Sequence, residues 1–127
     1  VKYANKTLFS VAKDMSCYAY NGILIEQYEN GIKLIATDGR RLAVAGSVEK
    51  SQENILTSSI VQVKGITQII KSLEDEETIF AKLYKNQFIM KVGHIEIASR
   101  LLEGEFPRYR DAIPQDNDKV ITANKED

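Results

Sequence analysis

The sequence predicts an α+β domain in which two antiparallel sheets meet two amphipathic helices lying on one side of them, assembled from two successive β-α-β-β-β units. Three observations carry this expectation. Apolar residues fall at Ile66, Ile69, Ile70 and Leu73, the i, i+3, i+4, i+7 spacing of a helix with one buried stripe. Short β-rich segments are separated by hairpin signals, among them Asn30-Gly31 and Asp38-Gly39. The order strand, helix, three strands begins twice, and because residue identity between the halves is weak the duplication is one of structure.

Taken in order, Val1 to Ala4 reads as a short strand and Asn5 as the N-cap of a helix from Lys6 to Lys13, with Leu8, Phe9, Val11 and Ala12 on its apolar side. Lys6 and Lys13 then stand two turns apart on one face. Tyr18 to Tyr28 is a strand, Glu29-Asn30-Gly31 a turn, and a new strand starts at Ile32. It stops at Thr37-Asp38-Gly39, and Arg41 to Ser47 completes a meander. Glu49 to Thr57 is polar and non-periodic, the pattern of a loop.

The second unit opens with a strand from Ser59 to Val63 and a helix from Lys64 to Leu73, again with two lysines, Lys64 and Lys71, spaced by two turns on the polar side. The acidic run Glu74 to Glu77 ends that helix in solvent. Strands follow at Thr78 to Tyr84, Gln87 to Val92 and Ile95 to Leu102, separated by turns at Lys85-Asn86 and Gly93. With both helices on one side, Lys6, Lys13, Lys64 and Lys71 form a local basic surface.

The chain has 127 residues, enough for one core without disulfide or metal support. Its 17 Lys and Arg against 18 Asp and Glu exclude a domain that holds nucleic acid by bulk positive charge. Cys17, the single cysteine, has no internal partner, in keeping with a reducing compartment and a cytoplasmic location, and its apolar neighbours mark it as a small buried residue. No apolar run reaches the roughly 20 residues of a membrane helix, so no membrane association is expected.

The start Val1-Lys2-Tyr3-Ala4 lacks a signal-peptide layout and an initiator Met, so the sequence reads as an excised piece. Val120-Ile121-Thr122-Ala123-Asn124-Lys125 repeats Val, Ala, Asn and Lys of Val1 to Lys6, after Pro107 and Pro114. These features place one domain at residues 1–115, with a linker and the first strand of a following domain at 116–127.

Catalytic and cofactor motifs are lacking. His94, the only histidine, has no cysteine cluster, second histidine or Gly-x-Ser-x-Gly elbow beside it, and the seven glycines are isolated at turns. The sequence therefore predicts neither an enzyme nor a cofactor. Beside the remaining readings stand a plain hairpin corner at Asp38-Gly39, a self-standing α+β ligand-binding or regulatory domain in which Arg40 and Arg41 hold a small anion, and a hydrolase built around His94.

Two segments resemble the middle domain of the bacterial DNA polymerase III beta subunit, the sliding-clamp family. They are Tyr20-Asn21-Gly22-Ile23-Leu24 with Ala36-Thr37-Asp38-Gly39-Arg40-Arg41-Leu42-Ala43, and Ser99-Arg100-Leu101-Leu102-Glu103-Gly104-Glu105-Phe106-Pro107-Arg108-Tyr109. The resemblance spans nearly the whole chain in order and spacing. It implies the DNA-clamp fold and a non-catalytic processivity factor, one of three domains per chain in a ring-shaped head-to-tail homodimer that encircles duplex DNA without regard to sequence.

The implied protein partners are the DNA polymerase III catalytic subunit, the clamp loader and other proteins that insert a short linear motif into a groove. Thr37, Gly39, Arg40, Arg41, Leu42 and Pro107 match groove positions. Tyr20, Asp111 and Ala112 also stand at such positions, but with other residue types than the aliphatic, arginine and valine found there in well-known members. Arg40 likewise replaces a common histidine. On this resemblance the basic helix surface, with Lys6, Lys13, Lys64 and Lys71, faces DNA.

Overall fold

The computed structural model describes residues 2–13, 18–48, 54–71 and 79–124. Helix α1 (Lys2–Thr7) runs into a 3-10 turn at Leu8–Ser10, and a second 3-10 turn at Tyr18–Asn21 leads into strands β1 (Gly22–Tyr28), β2 (Gly31–Thr37) and β3 (Leu42–Gly46). The second unit comprises β4 (Ile55–Gln62), α2 (Val63–Lys71), β5 (Ile79–Leu83), β6 (Gln87–Val92) and β7 (Ile95–Leu102). A final 3-10 turn lies at Tyr109–Ala112.

The strands form one seven-stranded antiparallel sheet in the order β3-β2-β1-β4-β7-β6-β5, where two separate sheets are expected from the sequence. The join is short: Ile60 pairs with Leu102 and Val61 with Leu101. Those four side chains serve the cores on the two faces, and continuing the ladder between them satisfies backbone groups that would otherwise be buried unpaired.

Alternation divides the sheet's side chains between two cores. Toward the helices point Ile23, Ile25, Leu34, Ala36, Val61 and Phe88, packed against Ala4 of α1 and Ile66 and Ile69 of α2. Away from the helices point Leu24, Ile35 and Ile60, covered by Tyr109 and flanked by Leu42, Leu102 and Phe106. Residues 103–112 thus form a strap over the outer face.

The first unit departs most from expectation. Lys2 to Ala4 is helical rather than extended, Asn5 is an exposed helical residue rather than a cap, and regular helix ends at Thr7. Ala4, buried against the sheet, anchors this helix, and the Thr7 hydroxyl donates to the carbonyls of Ala4 and Tyr3 at 3.1 and 3.2 Å. The chain then tightens and becomes extended at Val11 (φ −73°, ψ 141°), so Lys13 lies beyond the helix and shares no helical face with Lys6. Lys2 to Lys6 is helical, whereas Val120 to Asn124, which shares letters with the start of the chain, has no regular structure here.

Other boundaries shift by local chemistry. Tyr18 to Asn21 is a 3-10 turn rather than strand. Ile55 to Thr57, expected in a loop, already belong to β4, where the Thr57 hydroxyl bonds the Gln27 side chain at 3.2 Å. Their side chains are solvent-exposed, which erases the apolar alternation a sequence can show. Gly31, expected in the turn, pairs with Tyr28, so the hairpin turns on Glu29-Asn30. Helix α2 keeps its predicted stripe, with Ile66 and Ile69 buried and Lys64 and Lys71 exposed. Leu73, the acidic run and Cys17 lie outside the described residues.

Ile69→Ala is expected to cost about 3 kcal/mol in urea unfolding, because it opens a cavity between α2 and the sheet. Phe80→Ala, at a side chain 70% exposed on β5, should shift stability by less than about 0.5 kcal/mol.

Candidate protein-binding and DNA-facing surfaces

The corner between β2 and β3 is built by its own side chains. The Thr37 hydroxyl donates to the Arg41 carbonyl at 2.8 Å and accepts from the Gly39 N–H at 3.1 Å. One Asp38 carboxylate oxygen accepts from the Arg40 and Arg41 N–H groups, both at 3.0 Å, and the other accepts from Arg41 Nε at 3.0 Å. The chain reverses at Gly39 with φ +85°, a conformation costly for any residue with a Cβ. Hydrogen bonds from the Arg40 and Arg41 backbone, with the Arg41 side chain, hold the Asp38 carboxyl below its ordinary pKa.

Tyr20 joins this corner. The Ala12 N–H donates to its carbonyl at 3.0 Å, and its ring lies 3.8 Å from where a Cβ on Gly39 would sit. Arg41 reaches the other way and places its guanidinium 5.7 Å from the centre of the Phe9 ring, itself 60% exposed. The ion pair to Asp38 and this ring occupy Arg41, which is not the free anion ligand of the self-standing-domain reading. Arg40 is exposed.

Leu42 and Phe106 pack on the same outer cluster, which brings the corner and the strap onto one surface. Pro107 and Asp111 line an open groove of about 1100 Å³ between the strap and the sheet, with Ser58, Asn86 and Arg100 among its other walls. Tyr20, Thr37, Gly39, Arg40, Arg41, Leu42 and Ala112 are not part of that groove's lining. Ala112 is exposed at the end of the last 3-10 turn.

The strap is held by a group that the sequence reading passes over. Glu26, 4% exposed, accepts hydrogen bonds from the Tyr28 hydroxyl at 2.5 Å and the Tyr109 hydroxyl at 2.8 Å. Arg110 Nη2 donates to the Tyr28 hydroxyl at 2.8 Å and reaches the same Glu26 oxygen at 3.4 Å. Burial, reinforced by the Glu26 carboxylate, pushes the Tyr28 hydroxyl far above the ordinary phenol range, and burial raises Tyr109 as well. The signal was present: Glu26 alternates with Leu24 and Tyr28 on one face of β1, where an acid needs buried donors.

On the opposite face, Lys6 is exposed on α1, and Lys64 and Lys71 are exposed on α2. Lys13 is exposed in the segment after the first 3-10 turn. His94 is exposed in the Gly93-His94 hairpin turn. Among the described residues no cluster of His, Cys, Asp and Glu could hold a metal, and no helix is long and apolar enough to cross a membrane.

An antiparallel sheet with two helices on one face and a corner and strap on the other defines an α+β domain of the clamp fold. The chain belongs to the family described as DNA polymerase III beta subunit, central domain, which matches residues 1–108. It is 32% identical over 126 residues to the beta sliding clamp of Vibrio cholerae, covering 96% of this chain and 33% of that protein. To the Escherichia coli K12 beta sliding clamp it is 33% identical over 118 residues, covering 92% and 32%.

A DNA polymerase sliding clamp from Pseudomonas aeruginosa, solved with ligand, superposes with a TM-score of 0.80 at 27% identity over 92% of this chain and 32% of that one. The Thermotoga maritima DNA polymerase III beta subunit gives 0.79 at 28% identity over 90% and 31%. This chain therefore spans about a third of the length of the curated relatives it matches. The clamp family is non-catalytic.

Because Asp38 is held below its ordinary pKa, its stabilising effect is complete above the unfolded value near 3.8 and lost as pH falls through the folded value. Asp38→Asn should therefore lower the urea midpoint by a constant amount between pH 5 and pH 7 (about one pH unit and more above that value). The difference should shrink toward zero as the solution is acidified below it.

Proposed function

We propose that this chain is the middle domain of a processivity factor: a three-domain protein whose head-to-tail homodimer forms a ring around duplex DNA in the cytoplasm. Residues 1–115 are the domain, and 116–127 are a linker and the first strand of the next. The observation that carries the reading is the separation of surfaces, with exposed lysines on the helix face and the corner and strap on the other.

The helix face meets DNA. A ring held by topology needs only weak phosphate contacts, and Lys6, Lys64 and Lys71 supply long flexible cations on a chain of net charge -1. Lys13 adds a fourth from outside the helix.

The corner and strap form one wall of a groove for short linear motifs of the DNA polymerase III catalytic subunit, the clamp loader and other clamp-binding proteins. Leu42 and Pro107 offer apolar contacts, while Gly39 lets a peptide backbone approach. Tyr20, Thr37, Arg40 and Arg41 frame the corner, and Asp111 and Ala112 follow the strap. The third domain supplies the opposite wall, so the isolated chain binds such peptides more weakly than the full ring.

In the full-length ring, Lys64→Glu with Lys71→Glu is expected to weaken duplex binding and to reduce the slope of log affinity against log salt by about one per lost phosphate contact. An unchanged slope would remove these lysines from the DNA surface. Leu42→Asp should lower the affinity for a clamp-binding peptide by about tenfold or more in a titration while leaving DNA binding intact.

A further inference from the structure

We propose that the groove between the strap and the sheet takes an extended segment of another protein as an added strand on β4, with an acidic side chain of that segment directed to Lys85 and Arg100. The site lies in the middle of the sheet, over β4 and β7, away from the edge strands β3 and β5. None of the corner residues Thr37 to Leu42 lines it. It does not rest on the clamp reading.

The opening beside β4 follows from the short join in the sheet. Strand β7 pairs with β4 only at Leu102↔Ile60 and Leu101↔Val61. Continued, that register would set Glu103 opposite Ser59 and Gly104 opposite Ser58. The chain leaves the ladder instead, and Gly104, with φ +129°, takes a backbone conformation open to glycine as the strap begins. Thr57 to Ser59 remain in β4 and pair with β1 on one side. Among the described residues no ladder pair or other backbone hydrogen bond engages their β7-facing side. A row of unused donors and acceptors of this kind is what an added strand pairs with.

The space beside this row suits an extended chain. The groove holds about 1100 Å³, with Ser58 and Ser59 on its β4 side and Glu105 and Arg108 of the strap on another. The Asn86 carbonyl accepts from the Leu101 N–H at 3.2 Å, which sets the Lys85-Asn86 turn beside the end of β7. An inserted segment therefore continues the line of β7, with β4 on one flank and this turn on the other. The strap beside it obstructs the approach of a whole sheet edge, so the slot favours a single strand.

Charge indicates what that strand carries. Lys85 and Arg100 both line the groove and both are exposed. Neither side chain is in an ion pair among the described residues, although Glu103 and Glu105 line the same groove. Arg110, by contrast, is occupied by Tyr28 and Glu26. Two free cations at the β6–β7 end favour a carboxylate from the incoming segment. The serine hydroxyls along β4 suit small or uncharged polar side chains on the rest of it.

The test uses the full-length protein and a capped, fluorescent octapeptide of alternating valine and threonine with one central glutamate. Three control peptides carry lysine in place of the glutamate, N-methyl groups on alternate amides, or both changes. In an anisotropy titration the glutamate peptide should bind about tenfold or more tightly than either single-change peptide, because one loses the charge contact and the other the ladder. Amide exchange within Thr57–Ser59 should slow by roughly tenfold when it is bound. Lys85→Glu with Arg100→Glu, both at exposed positions, should reverse the preference so that the lysine peptide binds better, which a misfolded variant cannot do. Equal binding of the glutamate and N-methylated peptides would overturn the proposal. So would protection confined to other residues, an unreversed preference, or no binding of the glutamate peptide at all. Duplex and clamp-motif binding are not read, so the outcome is independent of the clamp reading.

Discussion

Glu26 is a carboxylate inside a sheet, and beside the neighbouring Tyr28 hydroxyl its donors Tyr109 and Arg110 arrive from more than eighty residues away in sequence. A buried charge without donors costs several kcal/mol, so strap and sheet cannot separate without exposing or stranding it. Tyr109 and Arg110 close the strap over the outer face, and the aromatic body of Tyr109 simultaneously seals Leu24, Ile35 and Ile60. Pro107 and Asp111 stand where they do because the residues around them are fixed. One polar group thereby turns a connecting segment into part of a surface.

The two faces of the sheet depend on different physics. The helix side is mainly apolar, with α1 and α2 contributing Ala4, Ile66 and Ile69 against the apolar side chains of the strands, and the buried hydroxyls of Thr7 and Ser10 stand beside them. The strap side combines apolar contact with a hydrogen-bonded charge cluster, which is directional where hydrophobic packing is not. Directionality suits a face whose geometry must be presented to other molecules, whereas non-directional packing suffices beneath an array of flexible lysines.

Within the second unit the two last strands are legible to the residue and the helix by its stripe, because the signals agree there: Ile66, Ile69 and Ile70 mark the helix by period, and Gln87–Val92 and Ile95–Leu102 are bounded by clear turns, whereas the exposed start of β4 is not. The first unit is less legible. Val1 to Lys6 has a strand-like start and a plausible cap at Asn5, yet burial of Ala4 against β2 and β3 selects helix over local preference. Joining of the sheets was not readable either, since it rests on two residue pairs brought together only by tertiary structure. Of the candidate groove, the Thr37 to Leu42 corner follows from Asp-Gly turn chemistry. The strap's attachment required noticing that Glu26 shares a face with Leu24.

The shortness of the first helix has a consequence for that corner. A continued helix would carry Phe9 onto its apolar side, as the sequence pattern suggests, but the change to a 3-10 turn rotates it out of the core, and the buried Ser10 hydroxyl is left without a partner among the described residues. Phe9 instead lies against Arg41, whose Nε is bonded to Asp38, whose other oxygen holds the turn. Cation–ring contact at an exposed site contributes about 0.5–1 kcal/mol, comparable to what a flexible arginine loses in freedom when it is pinned. The irregularity at the end of α1 therefore offsets the entropy of fixing Arg41, and it ties the corner to the helix layer through a path separate from the strap. A peptide docking against Gly39 and Leu42 would meet a turn held from both sides before it arrives, which lowers the ordering cost of binding.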